Sequence, residues 1–154
     1  MNFDLSEEQQ MIQDQAAKFV ANESPVDRFR RMREDERGWD PEMWAKMAEQ
    51  GWLSIAIPES QGGFGGTFVD LAIILEQLGR GLVPEPIIAS AVLAGGLLSE
   101  LGSEQQRDAF LTPMIEGSTS LAFAYAEKQS RYTPHDCLTK CEASGDGYVL
   151  TGEK

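Results

Sequence analysis

The chain of 154 residues carries 25 acidic side chains against 13 lysines and arginines, a formal net charge of −12, and 42% of its residues are hydrophobic. That is enough apolar material for one packed domain, but the chain is too short for a large multidomain enzyme. So acidic a surface argues against nucleic acid as a partner, because phosphates are neutralised by Lys and Arg, and against docking on an anionic membrane.

The opening decapeptide is polar and acidic and lacks the basic start and apolar run of a signal peptide. The most apolar stretch, Pro86 to Leu98, is about thirteen residues long, against the roughly twenty that a membrane span needs. A cytoplasmic protein without membrane insertion is the expectation. Ser6 with Gln9 forms a capping-box pattern, and Ile12, Ala16, Phe19 and Val20 recur at helical spacing, which predicts a helix over 6–22. Asp27 to Arg37 is dense in both signs of charge and reads as a solvated face or loop, with a phosphate-binding patch as the other reading. Asp40-Pro41 opens the next helix as N-cap and first residue, with Trp44, Met47 and Ala48 facing inward and Gly51 ending it. Trp52, Leu53, Ile55 and Ile57 read as a buried extended stretch up to Pro58.

Gly62-Gly63-Phe64-Gly65-Gly66 has neither the P-loop lysine nor a surrounding βαβ unit, and reads as a tight turn feeding a helix capped by Thr67 and Asp70. Phe68 to Leu78 is apolar nearly all round and predicts a helix buried on several sides, ended by Gly79 and Gly81. Pro84 and Pro86 set up another buried helix through Ile87, Ile88, Ala91, Val92, Leu93, Leu97 and Leu98. Ser103 with Gln106 repeats the capping box, and Gly117 closes the helix that follows. The pattern then changes. Ser120 to Ala126 reads as a strand, and Cys137 to Glu142 alternates with period two. Gly145-Asp146-Gly147 turns the chain, and Tyr148 to Thr151 returns as the second arm of a hairpin. Two strands with open edges seldom stand alone, so a further strand is expected after Lys154. Cys137 and Cys141, ~13 Å apart if extended, are expected as free thiols. His135, the one histidine, lacks a nucleophile elbow or a ligand set around it and reads as a surface residue.

Several of these segments, in order, resemble the acyl-CoA dehydrogenase family. They are Leu5-Ser6-Glu7-Glu8-Gln9, Gly51-Trp52-Leu53, Pro58-Glu59 with Gly62-Gly63-Phe64-Gly65, Glu76-Gln77-Leu78-Gly79-Arg80, Ser103-Glu104-Gln105-Gln106 and the closing run Gly145 to Lys154. The resemblance implies a mainly α fold: an N-terminal helical bundle domain over 1–117, then the start of a β-barrel-like middle domain over 118–154. It implies FAD as cofactor, α,β-desaturation of an acyl-CoA thioester, an electron-transfer acceptor protein, and a homo- or hetero-oligomer. Leu82-Val83-Pro84-Glu85-Pro86 resembles the small subunits of heteromeric members, the pimeloyl-CoA dehydrogenases. A non-catalytic partner subunit and a flavin oxidase or monooxygenase on the same scaffold are the alternatives.

By the same resemblance, the cofactor-binding residues are Phe123, Tyr125, Ala126, Glu127, Ser130, Arg131 and Tyr132. Phe123 and Glu127 match the family's flavin segment; its threonine is Ala126 here, its proline Lys128, and its Gly-Ser-Asp has become Arg131-Tyr132-Thr133. Ala126 offers no hydroxyl, whereas Arg131 can pair with a phosphate. Ala89, Leu93 and Tyr132 are the residues for the acyl substrate, with a plain core role for Ala89 and Leu93 as the alternative. No residue of the chain is assigned as catalytic, since the family's glutamate base lies in its C-terminal domain, and no metal site is expected.

Overall fold

The computed structural model describes residues 4–154, which divide into two compact units, the first ending at Ala122 and the second spanning Phe123–Lys154. The first is helical. Helix α1 (Glu7–Glu23) starts at Ser6, whose hydroxyl accepts the Gln9 amide while the Gln9 side chain accepts the Ser6 amide. Helix α4 (Phe68–Arg80) starts with the same device on Thr67 and Asp70. Gln9 Nε2 donates to Asp70 Oδ1 at 3.0 Å, so the two caps are also joined to each other. The Thr67 hydroxyl and amide, then Gln9, hold the Asp70 carboxyl below its usual range.

Helix α2 (Val26–Glu34) occupies the mixed-charge stretch. Most of its arginines are solvated, as expected, but Arg28 is buried and its guanidinium grips the buried Glu85 carboxylate, which also accepts the Asp40 amide at 3.1 Å. Helix α3 (Pro41–Glu49) begins on the Asp40 cap and buries Met43, Trp44 and Met47. Gly51 then takes a left-handed conformation with φ 76°, and a side chain there would strike the Phe64 ring.

The stretch read as extended, Trp52 to Ile57, is instead coiled, with a 3-10 turn at Trp52–Ser54. The glycine-rich loop explains it. The amides of Phe64, Gly65 and Gly66 donate to the carbonyls of Ser54, Ile57 and Ile55, so this backbone is satisfied by a folded loop and needs no neighbouring strand. Gly63 is obligatory there, because a Cβ would meet the Ile57 carbonyl.

A π-helical stretch, Ile88–Gly95, runs into helix α5 (Gly96–Leu101). Helix α6 (Glu104–Gln106), capped by Ser103 and Gln106, widens into a second π-helical stretch, Arg107–Leu111, and ends in helix α7 (Thr112–Ile115) before left-handed Gly117. The core gathers Ala16, Trp44, Met47, Leu53, Ile74, Leu111 and Met114, among others. The all-round burial expected of α4 fails at its start, where Phe68 is 74% exposed. Ile88, Leu93 and Leu97, expected inside, also face outward, because the small residues Ser90, Ala91, Ala94 and Gly95 take the inward positions. Among the described residues no helix is long and apolar enough to cross a membrane.

The second unit holds one antiparallel hairpin, β1 (Lys140–Ser144) and β2 (Gly147–Thr151), in register with Lys140 opposite Thr151 and Ser144 opposite Gly147. Residues 120–126 form no strand, since no other segment among the described residues pairs with them, and β1 begins at Lys140 rather than Cys137. Cys137 and Cys141 are exposed free thiols, and His135 is exposed.

Candidate functional site

The residues read from the sequence as a site fall into two groups, one in each unit. In the helical unit, Ala89 and Leu93 lie one π-helical turn apart on 88–95, both exposed, with Ile88 and Leu97 exposed beside them. Neither is a core residue. The 210 Å³ cavity touching this helix lies on another side, against Ala91, Val92 and Gly96. Between the two outward residues sits Ser90, fully buried, whose Oγ accepts the Leu121 amide at 2.8 Å. Trp44 Nε1 donates to the Thr119 carbonyl at 3.0 Å. Together they pin the segment that leaves the bundle immediately before Phe123. Sequence reasoning passed over Ser90; a lone hydroxyl amid Ala, Ile and Val on a buried helix is the signal, because a buried hydroxyl requires a partner.

In the second unit, the rings of Phe123 and Tyr125 lie 5.5 Å apart at 34°, and both are partly exposed. Ala126, Arg131 and Tyr132 are exposed, Tyr132 almost completely at 99%. Arg131 holds a left-handed φ of 43°, a conformation that costs a non-glycine residue energy and fixes the loop's direction. Glu127 and Ser130 behave differently. Ser130 Oγ donates to the Glu127 carbonyl and accepts the Glu127 amide, closing a turn. The Glu127 carboxylate is buried and accepts the amides of Leu138 at 2.7 Å and Thr139 at 3.0 Å, the Gln129 side-chain amide, and the Lys154 ammonium at 2.9 Å.

This clasp joins the loop 127–139 to the residues after β2. The bonds from Gln129, Thr139, Leu138 and Lys154 hold the Glu127 carboxyl far below the usual carboxylate range. Glu127, ahead of Cys137, in turn raises the Lys154 ammonium above its ordinary value. Gln129, Thr139 and Lys154 were not singled out from the sequence; their partner lies 2, 12 and 27 positions away with no period to reveal it.

The exposed members are thus three aromatic rings, a methyl and a guanidinium. Among the described residues the amides of Phe123, Ala124 and Ala126 meet no hydrogen-bond acceptor, so they are available to an external one. Aromatic faces with free amides suit a flat heteroaromatic ring bearing carbonyls, and Arg131 suits a phosphate. No group of three His, Cys, Asp or Glu able to hold a metal occurs among the described residues.

Comparison with known proteins identifies the family of the chain. The chain is 31% identical to the probable acyl-CoA dehydrogenase YngJ of Bacillus subtilis over its whole length and 40% of that protein. It is 32% identical to the caffeyl-CoA reductase-Etf complex subunit CarC of Acetobacterium woodii, over 97% of this chain and 40% of that one. The structure superimposes on a chain of the ChsE4-ChsE5 complex from Mycobacterium tuberculosis with a TM-score of 0.84 and 28% identity, over 99% of this chain and 40% of the other. An acyl-CoA dehydrogenase complexed with FAD from Bacillus anthracis gives a TM-score of 0.82 at 25% identity, over 97% of this chain and 26% of the other. The chain thus spans about 40% of the length of the curated relatives it matches from end to end. Residues 6–118 match the family described as acyl-CoA dehydrogenase, N-terminal domain, and the chain belongs to the acyl-CoA dehydrogenase family.

Proposed function

We propose that this chain is the N-terminal part of an FAD-dependent oxidoreductase that α,β-desaturates acyl-CoA thioesters, as the small subunit of a heteromeric dehydrogenase for dicarboxyl-CoA substrates. The observation that carries the reading is the outward apolar row of Ile88, Ala89, Leu93 and Leu97 in a chain of this family. Apolar side chains left unpaired on a helix that has small residues to bury suit contact with an acyl chain. Membership of a complex is supported by the relatives CarC, named a complex subunit, and ChsE4-ChsE5, named a complex.

FAD, when bound, supplies the hydride acceptor. The chain's own part is to hold and orient it. Phe123 and Tyr125 offer ring faces, the free amides of Phe123, Ala124 and Ala126 offer donors, and Arg131 offers charge to a phosphate. Glu127 and Ser130 act on the cofactor indirectly, by fixing the loop. Tyr132, fully solvated, offers its ring and hydroxyl to substrate in this reading. Ala89 and Leu93 exclude water from the acyl chain. Proton abstraction is left to a residue outside these 154.

The test is production of the full parent protein with its natural partner subunit. Flavin absorbance, bleached by a dicarboxyl-CoA ester and restored by an electron-transferring flavoprotein, is the expected result. A colourless complex would instead favour a non-catalytic partner subunit, the reading to which the missing hydroxyl at Ala126 points. Reoxidation by dioxygen alone would make it an oxidase.

A further inference from the structure

In the second unit, three reactive groups converge at the end of the Glu127 clasp. Cys137 Sγ lies 3.3 Å from Lys154 Nζ and 3.2 Å from Glu127 Oε1, and the Lys154 ammonium lies 2.9 Å from the same carboxylate oxygen. Cys137 is exposed and unpaired, while the Lys154 side chain is three-quarters covered and held by its ion pair. A thiol that oxidants can reach thus has an amine nitrogen already at contact distance. Cys141, by contrast, sits within β1 opposite Leu150 and has no such neighbour among the described residues.

We propose that Cys137 and Lys154 form an oxidation-dependent cross-link, a sulfenamide bond between Sγ and Nζ, with a hydroperoxide as oxidant. The Cys137 sulfur attacks the peroxide, and the thiol proton leaves with the displaced hydroxide as water. Sulfur loses two electrons and gains oxygen, giving Cys137 sulfenic acid, while hydrogen peroxide is reduced to water. After the ammonium has released one proton to solvent, the neutral Lys154 nitrogen attacks that sulfur, in the manner known for sulfenic acids and backbone nitrogen. The S–O bond breaks and the S–N bond forms. Of the three ammonium protons one stays on nitrogen, one leaves with the hydroxyl as water, and one passes to solvent. A thiol reductant cleaves the S–N bond and restores both side chains.

The product ties the segment entering β1 covalently to the residue following β2 and draws Lys154 away from Glu127, so oxidation resets the clasp that orients the loop 127–139. The proposal rests on the second unit alone and stands whether or not the function above is correct.

The full-length protein is exposed to hydrogen peroxide, alkylated, digested and analysed by mass spectrometry. A peptide pair joining Cys137 to Lys154 with the loss of two hydrogen atoms, absent after thiol reduction, is the expected result. Lys154→Arg keeps a cation for Glu127 but removes the amine; it must abolish the linked pair and leave a sulfenic acid at Cys137 that dimedone traps. Cys141→Ser must leave the linked pair unchanged. Conversion of Cys137 to sulfinic acid or to a disulfide with Cys141 without any linked pair overturns the proposal. A linked pair that retains an oxygen atom, or one that persists in Lys154→Arg, does so as well.

Discussion

Gln9 and Asp70, 61 positions apart, each close the capping box of their own helix and then bond to each other at 3.0 Å, so the starts of α1 and α4 form one polar unit. Removing Gln9 takes away a cap partner and an inter-helix bond together. Gln9→Ala should lower unfolding stability by about 1–2 kcal/mol, read from denaturant midpoints. Gln9→Glu keeps a cap acceptor but sets a second carboxylate against Asp70. Its loss should be larger near neutral pH and shrink in acid, where the two charges neutralise; a loss independent of pH contradicts the arrangement.

The buried pair of Arg28 and Glu85 predicts an asymmetry. Glu85→Ala leaves a buried guanidinium with only Asp40, at 3.9 Å, as acidic partner among the described residues. It should cost roughly 3–5 kcal/mol, whereas replacing both partners by methionine should cost far less. Equal losses in the single and double variants, in a thermal melt, would show that the charge is not what matters.

Burial of Ser90 makes its hydroxyl indispensable to one amide. Ser90→Ala should destabilise the helical unit by about 1–3 kcal/mol, because the Leu121 N–H loses its acceptor inside the core. Hydrogen exchange at Leu121 should accelerate while exchange at Ile74 follows only the global change. An unchanged Leu121 rate would mean another group satisfies that amide.

Glu127 and Lys154 give the second unit a stability window with two edges. The Glu127 carboxyl is depressed in the folded state, so its contribution is complete above the ordinary value of 4.5 and is lost as pH falls from there through the folded value. The Lys154 ammonium is raised, so its contribution is complete below 10.5 and is lost as pH rises through the folded value. Stability of the second unit, read from hydrogen exchange at the Leu138 and Thr139 amides, should therefore stay constant between those limits and fall beyond them. Glu127→Gln should remove the acid edge.

Restoring the hydroxyl at position 126 tests the flavin surface. Ala126→Thr in the full parent protein should tighten FAD binding by roughly 2- to 10-fold, the worth of one hydrogen bond. Equilibrium dialysis measures it; no change would separate this segment from the cofactor.

What the sequence made legible was what is local. Three capping boxes, the Asp40-Pro41 start and the glycine stops at Gly51 and Gly117 are set by residues within a few positions of one another, and each appears where the pattern put it. Strand-like composition at 120–126 misled because pairing depends on an edge that local composition does not encode. Arg28 was hidden among arginines of similar surroundings, and only its distance from Glu85 in space distinguishes it. In the second unit Phe123, Tyr125 and Tyr132 were named through family resemblance, and the structure leaves all three rings exposed. Glu127 was named through family resemblance, but its carboxylate is engaged by amides and an ammonium of its own unit.

The π-helical stretch at 88–95 has a consequence for how this region tolerates change in length. A π turn accommodates an additional residue compared with an α turn, so this stretch stores slack in its winding. Deleting one residue between Ile88 and Gly95 can be absorbed by tightening to ordinary α pitch, which leaves α5 in phase. An insertion has no comparable reserve and would rotate Leu98 and Ser99 out of their seats. Length variation here should run in one direction only.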